Sequence, residues 1–284
     1  MDMFNKLKNY LSDIRGRQRI GIALSKGGAM MHAREVDLTK PSTWEFSGFS
    51  QNGEDGIIDV LRGQLLKYNR YFIEIGSANG IENNTSWLTV AEKYSGIMIE
   101  GNPKKVEHAR RMLLRYSIGL ECRNMFITKA SIEELSAISF YQDPDIFSLD
   151  IDGNDFYIAK AVLDGGFRPK IFVVEYNSVY GPDQSLTVAY KDNFIFTAEH
   201  PTHLYYGVSI AGWRKFFESR NYRFVTVDQN GVNAFFVDCD SFDADFLNNI
   251  KGLEFAENRY QLTKFRKPSE EQFLLIKDQN FIPI

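Results

Sequence analysis

Residues 71–80 read YFIEIGSANG, a short apolar run that ends in two glycines. A short apolar run bounded by turn residues is typical of a buried strand. Gly76 and Gly80 let the backbone turn tightly after such a strand, and they leave room for a ligand because neither carries a Cβ. The stretch predicts a strand over residues 71–75 that runs into a glycine-rich turn.

The same theme recurs on both sides of this stretch. Residues 56–65 carry a helical apolar pattern, and so do residues 88–91 just before the next strand. Further strands are predicted at 96–100, 146–149 and 171–174, with helices at 103–116 and 154–166. Short apolar strands that alternate with helices indicate βαβ units, and therefore a parallel sheet with helices on both faces.

The sequence changes character near residue 222. Residues 222–238 read YRFVTVDQNGVNAFFVD, two β-rich runs separated by QNG, which is a hairpin signal. We therefore expect an antiparallel hairpin at one edge of the otherwise parallel sheet. Three segments are predicted: a helical extension over 1–45, the main domain over 46–240, and a C-terminal extension over 241–284 packed on that domain. Within the main domain, the aromatic and irregular residues 180–206 are long for a plain connection, which indicates a lid or substrate loop.

Composition limits the classes of function. The chain has 284 residues, with 44% hydrophobic and 25% charged residues, as in an ordinary soluble globular protein. Its net charge of −4 gives no reason to expect a nucleic-acid partner. The two cysteines, Cys122 and Cys239, stand far apart, which argues against a disulfide framework and a structural zinc site.

The N-terminal segment carries scattered charges and lacks the apolar core of a signal peptide. No apolar run approaches the roughly 20 residues that span a bilayer, so we expect a cytoplasmic protein without stable membrane insertion. The basic residues of this segment suit a membrane surface, but a solvated helix face is the favoured interpretation. They are Lys6, Lys8, Arg15, Arg17 and Arg19.

Polar residues follow two neighbouring strands at the point where each strand ends. Glu74 and Gly76 close the first strand, and Glu100 closes the second. In open parallel sheets, ligands bind outside the carboxyl ends of the strands, and an acid after the second strand can accept both hydroxyls of a ribose. The spacing from Gly76 to Glu100 fits one crossover helix and one strand, so the sequence predicts a nucleoside-binding crevice.

These motifs lead to a family resemblance. FIEIGSANG resembles motif I of the class I S-adenosylmethionine (SAM)-dependent methyltransferases, acidic-x-Gly-x-x-x-Gly, and IMIEGNP looks like their motif II. SLDIDGND resembles the "iDvEGaE" motif of the FkbM-type group, and SQNGEDGII and NAFFVD also look like that group. The resemblance covers residues 48–238 and rests on five motifs in order. It implies a Rossmann-like class I methyltransferase fold with a mostly parallel seven-stranded sheet and an antiparallel edge hairpin.

The resemblance also implies a SAM site. Glu74 and the backbone of residues 76–80 would hold the amino-acid end of SAM, Glu100 the ribose hydroxyls, and Asn102 the adenine edge. Ala130 and Ser131, after the strand-like segment 125–128, would flank the adenine, and Gln51 and Asp55 would close on the methionine moiety. The complete set of expected cofactor contacts is Gln51, Asp55, Glu74, Gly76, Ser77, Asn79, Gly80, Glu100, Asn102, Ala130, Ser131 and Asp150.

A second group of polar residues follows the next two strands. Asp150 and Asp152 alternate after one strand, and Glu175 and Asn177 after the next, so each pair is expected to point to one side of the sheet. Oxygen ligands such as Asp150, Glu175 and Asn177 suit Mg²⁺ or Mn²⁺. Without a metal, Asp150 or Asp152 could act as a general base, and His203 is a second candidate. The plainer alternative is that Asp152, Asn154 and Asp155 only cap the following helix.

The predicted function is O-methylation of a small molecule: a sugar, a glycan precursor or a nucleotide-linked compound of surface-polysaccharide or natural-product biosynthesis. Nothing in the sequence excludes a homo-oligomer. An NAD-dependent nucleotide-sugar oxidoreductase or epimerase is the alternative, although its usual G-x-G-x-x-G spacing is replaced here by G-x-x-x-G. A non-catalytic scaffold with the same fold is the third hypothesis.

Overall fold

The computed structural model describes residues 2–284, without the side chains of residues 2–6, 8 and 9. The expectation for the side chains of Lys6 and Lys8 therefore lies outside the described residues. The strands are β1 (Tyr71–Ile75), β2 (Ser95–Glu100), β3 (Leu120–Asn124), β4 (Ile146–Leu149), β5 (Ile171–Glu175), β6 (Leu186–Val188), β7 (Tyr222–Val227), β8 (Asn233–Asp238) and β9 (Phe281–Pro283). The helices are α1 (Asp2–Ala33), α2 (Glu54–Gly63), α3 (Ser86–Val90), α4 (Pro103–Leu113), α5 (Ile132–Ile138), α6 (Asp155–Asp164), α7 (Phe196–Glu199), α8 (Ile210–Glu218), α9 (Ala244–Asn249), α10 (Arg259–Phe265) and α11 (Ser269–Phe273).

Seven strands form one sheet in the order β3-β2-β1-β4-β5-β8-β7. Strands β1 to β5 are parallel, while β8 runs antiparallel to both β5 and β7. The predicted hairpin is confirmed, as is the predicted fold class of a mostly parallel sheet with an antiparallel edge. Strands β6 and β9 pair separately as a small antiparallel ribbon.

Helices cover both faces of the sheet because successive strand residues point to opposite sides. In β1, Phe72 packs with residues of α1, α2, α3 and α4, whereas Ile73 and Ile75 pack with residues of α5, α6 and α8. Every residue of β1 is buried, as a central parallel strand requires. The two apolar layers fix the positions of the strand ends, and the polar loops leave from those ends.

One strand prediction was wrong. Residues 125–128 look strand-like, but the edge strand β3 is Leu120–Asn124. Only one face of β3 is buried, and Glu121, Arg123 and Asn124 are exposed. A half-exposed edge strand with charged residues gives little apolar signal, so the more apolar segment beside it was chosen instead.

Helix α1 packs along α4 at the outside of the sheet. Arg111 donates to Asp13 over 3.0 Å, and Gly16 lies against the side chain of Met112. Over residues 2–284, no helix combines the length and the hydropathy that a membrane-crossing segment needs. Cys122 and Cys239 are both free thiols.

Candidate functional site

A cleft of about 960 Å³ opens at the carboxyl ends of β1, β2 and β4. The chain leaves β1 towards β2 on one side, and β4 pairs with β1 on the other, so the strand order reverses at this point. Open α/β sheets bind ligands at such a reversal. The volume falls in the range of about 300–1,000 Å³ that small-molecule sites occupy.

Gly76 forms the floor of the cleft. It adopts a positive φ of 88°, and its N–H donates to the main-chain oxygen of Ile99 over 2.9 Å. A Cβ at this position would lie 1.6 Å from the main-chain oxygen of Asp150. Glycine is therefore required where the loops after β1 and β4 cross.

Glu74, at the inner wall, organises the loop that follows the glycine turn. Its carboxylate accepts hydrogen bonds from the Asn83 amide and the Thr85 hydroxyl, each over 2.6 Å, and from the N–H of Asn84 over 2.9 Å. Burial raises the pKa of Glu74 to about 7. Glu74 lines the cleft as expected, and it also holds the 83–85 loop in place.

Glu100 and Asn102 form the wall after β2, as the sequence predicts. One carboxylate oxygen of Glu100 accepts from the N–H of Asn102 over 2.7 Å, and the other lies 3.9 Å from Nζ of Lys105. Asn102 caps α4 by accepting from the N–H of Lys104 over 2.9 Å. Glu100 borders the cleft, and the Lys105 ammonium group lies too far away for a hydrogen bond. The carboxylate oxygens of Glu100 can therefore accept hydrogen bonds from hydroxyl groups.

The apolar wall beside Glu100 comes from Met125, Phe126 and Ile127. The sequence placed this role on Ala130 and Ser131, but those residues lie outside the cleft lining, in a 3-10 turn over 129–131. The Ser131 hydroxyl accepts from the N–H of Thr128 over 3.1 Å and so closes that turn. The apolar segment 125–127 forms this wall because it directly follows β3 at the ligand-binding edge of the sheet.

The roof of the cleft also differs in part from the prediction. Gln51 lines the cleft, but Asp55 does not. One oxygen of Asp55 accepts from the N–H groups of Gly48, Phe49 and Ser50 over 2.7–2.9 Å, so Asp55 shapes the roof segment from behind. Its neighbour Glu54 reaches the cleft instead.

Three residues of the glycine turn also lie outside the lining: Ser77, Asn79 and Gly80. Ser77 donates its N–H to Ile99, and the Asn79 side chain accepts from the N–H of Ile81 over 2.9 Å. Ala78 is the residue of the turn that borders the cleft, along with Gly76. The turn is thus held by internal hydrogen bonds and exposes mainly its backbone.

Two buried amides leave oxygens free at the cleft. Oδ1 of Asn83 and Oδ1 of Asn233 are buried and have no partner among the described residues. Both residues line the cleft, and Asn233 was not predicted from the sequence. A buried acceptor without a donor costs about 1–3 kcal/mol. Both amides belong to the cleft lining and keep one oxygen that the chain does not use.

Asp150, Asp152 and Glu175 form a carboxylate cluster in which one oxygen from each residue lies within 4.8 Å of the others. Burial raises the pKa of Asp150 and of Glu175 well above the ordinary range, and repulsion from the other acids adds to this rise. Asp150 and Asp152 were expected on a strand end, but β4 stops at Leu149 and Asp152 has a positive φ of 53°. The loop conformation, and not strand alternation, brings the two together.

Asn177 does not join this cluster. Its amide nitrogen donates to the main-chain oxygens of Leu204 and Tyr206 over 2.8 and 3.0 Å, and its side-chain oxygen accepts from the N–H of Val179 over 3.1 Å. It is fully buried. Asn177 therefore anchors the 204–206 segment, because a buried amide is satisfied by the backbone groups that surround it.

A second pocket of about 300 Å³ lies on the other side of the cluster. It shares Asp152 and Phe196 with the larger cleft. His203 and Tyr206 line it from the predicted lid, and Gln261 lines it from α10. No sequence pattern predicted α10 at the site, because the tail after residue 238 is weakly patterned.

Comparisons with known proteins found only distant structural similarity. No protein-family model matches this sequence, and no curated protein does. A structure of the O-methyltransferase from Bacillus cereus in complex with SAH is 15% identical, with 77% of this chain and 89% of that chain covered and a TM-score of 0.40. The O-methyltransferase TomG from Streptomyces achromogenes, in complex with SAM, is 16% identical, with 75% and 94% covered and a TM-score of 0.43. At these values the similarity does not identify a function, which has to be argued from the site.

Proposed function

We propose that this protein is a SAM-dependent methyltransferase that acts on an oxygen atom of a small molecule. One observation carries the proposal: the Gly76 turn and the Glu100 carboxylate border the same cleft of about 960 Å³ at the strand-order reversal. A glycine turn and an acid at neighbouring strand ends are the two features that a nucleoside with an attached charged chain requires.

The lining fits the parts of SAM one by one. Ile99, Phe126 and Ile127 offer an apolar surface for the adenine, and Glu100 offers acceptors for the ribose hydroxyls. The free Oδ1 of Asn83 offers an acceptor for the amino group of the methionine end. The backbone at Gly76 lets that chain approach without a side chain in the way.

When bound, SAM supplies a methyl group on a positively charged sulfur. SAM would supply this methyl group to the acceptor oxygen and would leave as S-adenosylhomocysteine, and a carboxylate of this chain would accept the hydroxyl proton. Asp152 borders both pockets, so we assign it the role of this base when no cation is bound. His203, in the second pocket, stays the second candidate.

The proposed acceptor is a hydroxyl group of a sugar, a glycan precursor or a nucleotide-linked molecule. Carboxylates at the boundary between the two pockets suit an oxygen nucleophile that has to lose a proton. Membership of the FkbM-type group, the three segments 1–45, 46–240 and 241–284, and a cytoplasmic location belong to the same proposal. A homo-oligomer is compatible with it.

The carboxylate cluster also fits a divalent cation. Its ligand atoms are oxygens within 4.8 Å of one another, and Oε2 of Glu175 is buried without a partner among the described residues. Hard cations such as Mg²⁺ and Mn²⁺ prefer oxygen ligands. We propose Asp150, Asp152 and Glu175 as the ligands, in place of the set with Asn177. A bound cation would lower the pKa of the acceptor hydroxyl.

The alternative, an NAD-dependent oxidoreductase or epimerase, is less well supported by the sheet. The dinucleotide fold has the parallel order 3-2-1-4-5-6, whereas here an antiparallel strand follows β5. Calorimetric titration of the purified protein with S-adenosylhomocysteine, and separately with NAD⁺, tests the choice. We expect saturable binding of S-adenosylhomocysteine at micromolar concentrations and no heat from NAD⁺. The reverse pattern would refute the methyltransferase proposal.

A further inference from the structure

The second pocket contains a buried amide whose hydrogen-bonding capacity is incompletely used. Nε2 of Gln261 lies 3.2 Å from the hydroxyl oxygen of Tyr206, and Oε1 has no partner among the described residues. Gln261 is 7% exposed. If the amide is turned by 180°, Oε1 takes the Tyr206 hydroxyl and the nitrogen becomes the free atom. In both orientations the pocket presents one unsatisfied polar atom.

A second unsatisfied atom lies in the wall of the same pocket. Oε2 of Glu175 is buried and has no partner among the described residues. Leaving a buried polar group unpaired is unfavourable, and a free amide atom together with a buried carboxyl oxygen in one small pocket indicates a ligand that carries hydroxyl groups. A hydroxyl group can donate and accept, so it suits Gln261 in either amide orientation.

The pocket also has aromatic walls. Phe196, Tyr206, Tyr260 and Phe265 line it together with polar side chains, and it has a volume of about 300 Å³. The polar residues are Thr202, His203, Asn258 and Lys264. This size is at the lower end of small-molecule sites, about 300–1,000 Å³. Aromatic faces pack against the C–H faces of a saturated ring through dispersion. Polar atoms between aromatic walls therefore suit a ring that carries hydroxyl groups on its edge.

We infer that this pocket holds the methyl acceptor and that Gln261 and Tyr206 form hydrogen bonds to a second hydroxyl group on it. The acceptor is therefore a polyhydroxylated ring. The inference rests on the proposed function, since the pocket shares Asp152 and Phe196 with the proposed SAM cleft. One ring hydroxyl lies at the carboxylates, and a different one bonds to Gln261. A site built for that second hydroxyl discriminates against an acceptor that lacks it.

The test uses the full-length protein with S-adenosylhomocysteine and saturation-transfer NMR. The probes are glucose, galactose, N-acetylglucosamine and myo-inositol, with tetrahydropyran and cyclohexanol as rings that carry no hydroxyl or one. We expect a signal from at least one polyhydroxylated ring and none from the two control rings. Signals from the control rings alone, or from no probe, overturn the inference.

Two substitutions make the test specific. We expect Gln261→Leu to weaken binding of the polyhydroxylated ring at least ten-fold, and Tyr206→Phe to weaken it by a smaller factor. Gln272→Leu is the matched control, because Gln272 is also a buried glutamine with a free Oε1, but it lies outside both pockets. Equal affinities for Gln261→Leu and Gln272→Leu would overturn the role of Gln261.

Parallel titration with S-adenosylhomocysteine separates the two levels of proposal. If S-adenosylhomocysteine binds and no polyhydroxylated ring does, the inference fails while the proposed function stands. If a ring binds and S-adenosylhomocysteine does not, the proposed function fails, and the acceptor role of this pocket fails with it. Binding of both, with the loss confined to the pocket variants, supports both.

Discussion

The carboxylate of Glu54 accepts a hydrogen bond of 2.7 Å from the side-chain amide of Asn233, although the two residues are 179 positions apart in the chain. Glu54 begins α2 before the sheet, and Asn233 begins β8 near its end. Both residues are buried and both border the larger cleft. This bond therefore joins the roof of the cleft to the edge hairpin.

Breaking this bond should loosen the roof. We expect Asn233→Leu to lower the free energy of unfolding by about 1–3 kcal/mol, because it leaves the buried Glu54 carboxylate with one donor fewer. Binding of S-adenosylhomocysteine should weaken as well. Chemical denaturation and calorimetry measure the two effects. Asn248→Ala, at an exposed hydrogen bond to Arg223, is the control; equal effects from both variants would contradict the prediction.

Gly76→Ala should abolish the cofactor cleft. The new methyl group would collide with the main-chain oxygen of Asp150, since a Cβ would stand 1.6 Å away, and the φ of 88° adds strain. Gly166→Ala is the matched control, because φ is 94° there but no atom lies within 4 Å. We expect a loss of about 1–2 kcal/mol from strain in the control and a larger loss, with no S-adenosylhomocysteine binding, at Gly76. Comparable stability of the two variants would contradict the close contact between the loops that follow β1 and β4.

Glu100 is expected to contribute to affinity for the nucleoside part of the ligand. Hydrogen bonds to a charged group are worth about 1.5–3 kcal/mol, so Glu100→Ala should raise the Kd for S-adenosylhomocysteine by roughly 10- to 150-fold. Glu100→Gln should lie between the wild type and Glu100→Ala. Glu121→Ala removes an exposed acid of the neighbouring strand β3 and should leave the Kd unchanged. An unchanged Kd in Glu100→Ala would remove the ribose contact from the proposal.

A divalent cation should bind once per chain. Titration with Mn²⁺, followed by electron paramagnetic resonance, should show one bound ion, and the double variant Asp150→Asn, Glu175→Gln should lose it. At 100 times its Kd, a ligand of the folded state stabilises it by about 2.7 kcal/mol, so Mn²⁺ should also raise the Tm. Asp164→Asn, at an exposed ion pair, should bind Mn²⁺ like the wild type. No bound ion at millimolar Mn²⁺ would exclude the cluster as a metal site.

The protein should become less stable as the pH rises from 6 to 9. Burial raises the pKa of Asp228 to about 8 and that of Glu74 to about 7, so the folded chain keeps protons that the unfolded chain has lost. The resulting stabilisation is complete below the unfolded values near 4 and is lost as the pH passes through 7 to 8. Denaturant unfolding at constant ionic strength measures the slope. Asp228→Asn should flatten it, and a stability that increases over this range would contradict the assignment.

The elements that local pattern determines were predictable. Strand β1 and the end of β2 are short apolar runs followed by polar residues, so Gly76 and Glu100 could be placed at the cleft from the sequence alone. The mostly parallel sheet follows from the alternation with helices, and its antiparallel edge follows from the hairpin signal at 229–231. Edge strand β3 was missed because its apolar pattern is interrupted by charge.

The other features of the site were not predictable, because they depend on contacts between distant parts of the chain. Asp55 and Asn177 look like site residues, yet backbone N–H groups hold one oxygen of Asp55, and backbone groups satisfy the Asn177 amide, in other roles. Asn233 and Gln261 look unremarkable in sequence, yet folding brings each beside a pocket. No local pattern indicates which buried polar group will find its partners within the chain and which will not.

Asp152 and Phe196 belong to the walls of both pockets, and this has an energetic consequence. Any shift of these two side chains caused by a ligand on one side changes the surface offered on the other. The two occupancies are then thermodynamically linked, and the linkage is reciprocal: the factor by which the first ligand alters affinity for the second equals the factor in the opposite direction. A shared wall of two side chains is therefore enough to couple the two affinities by the same factor, whichever ligand binds first.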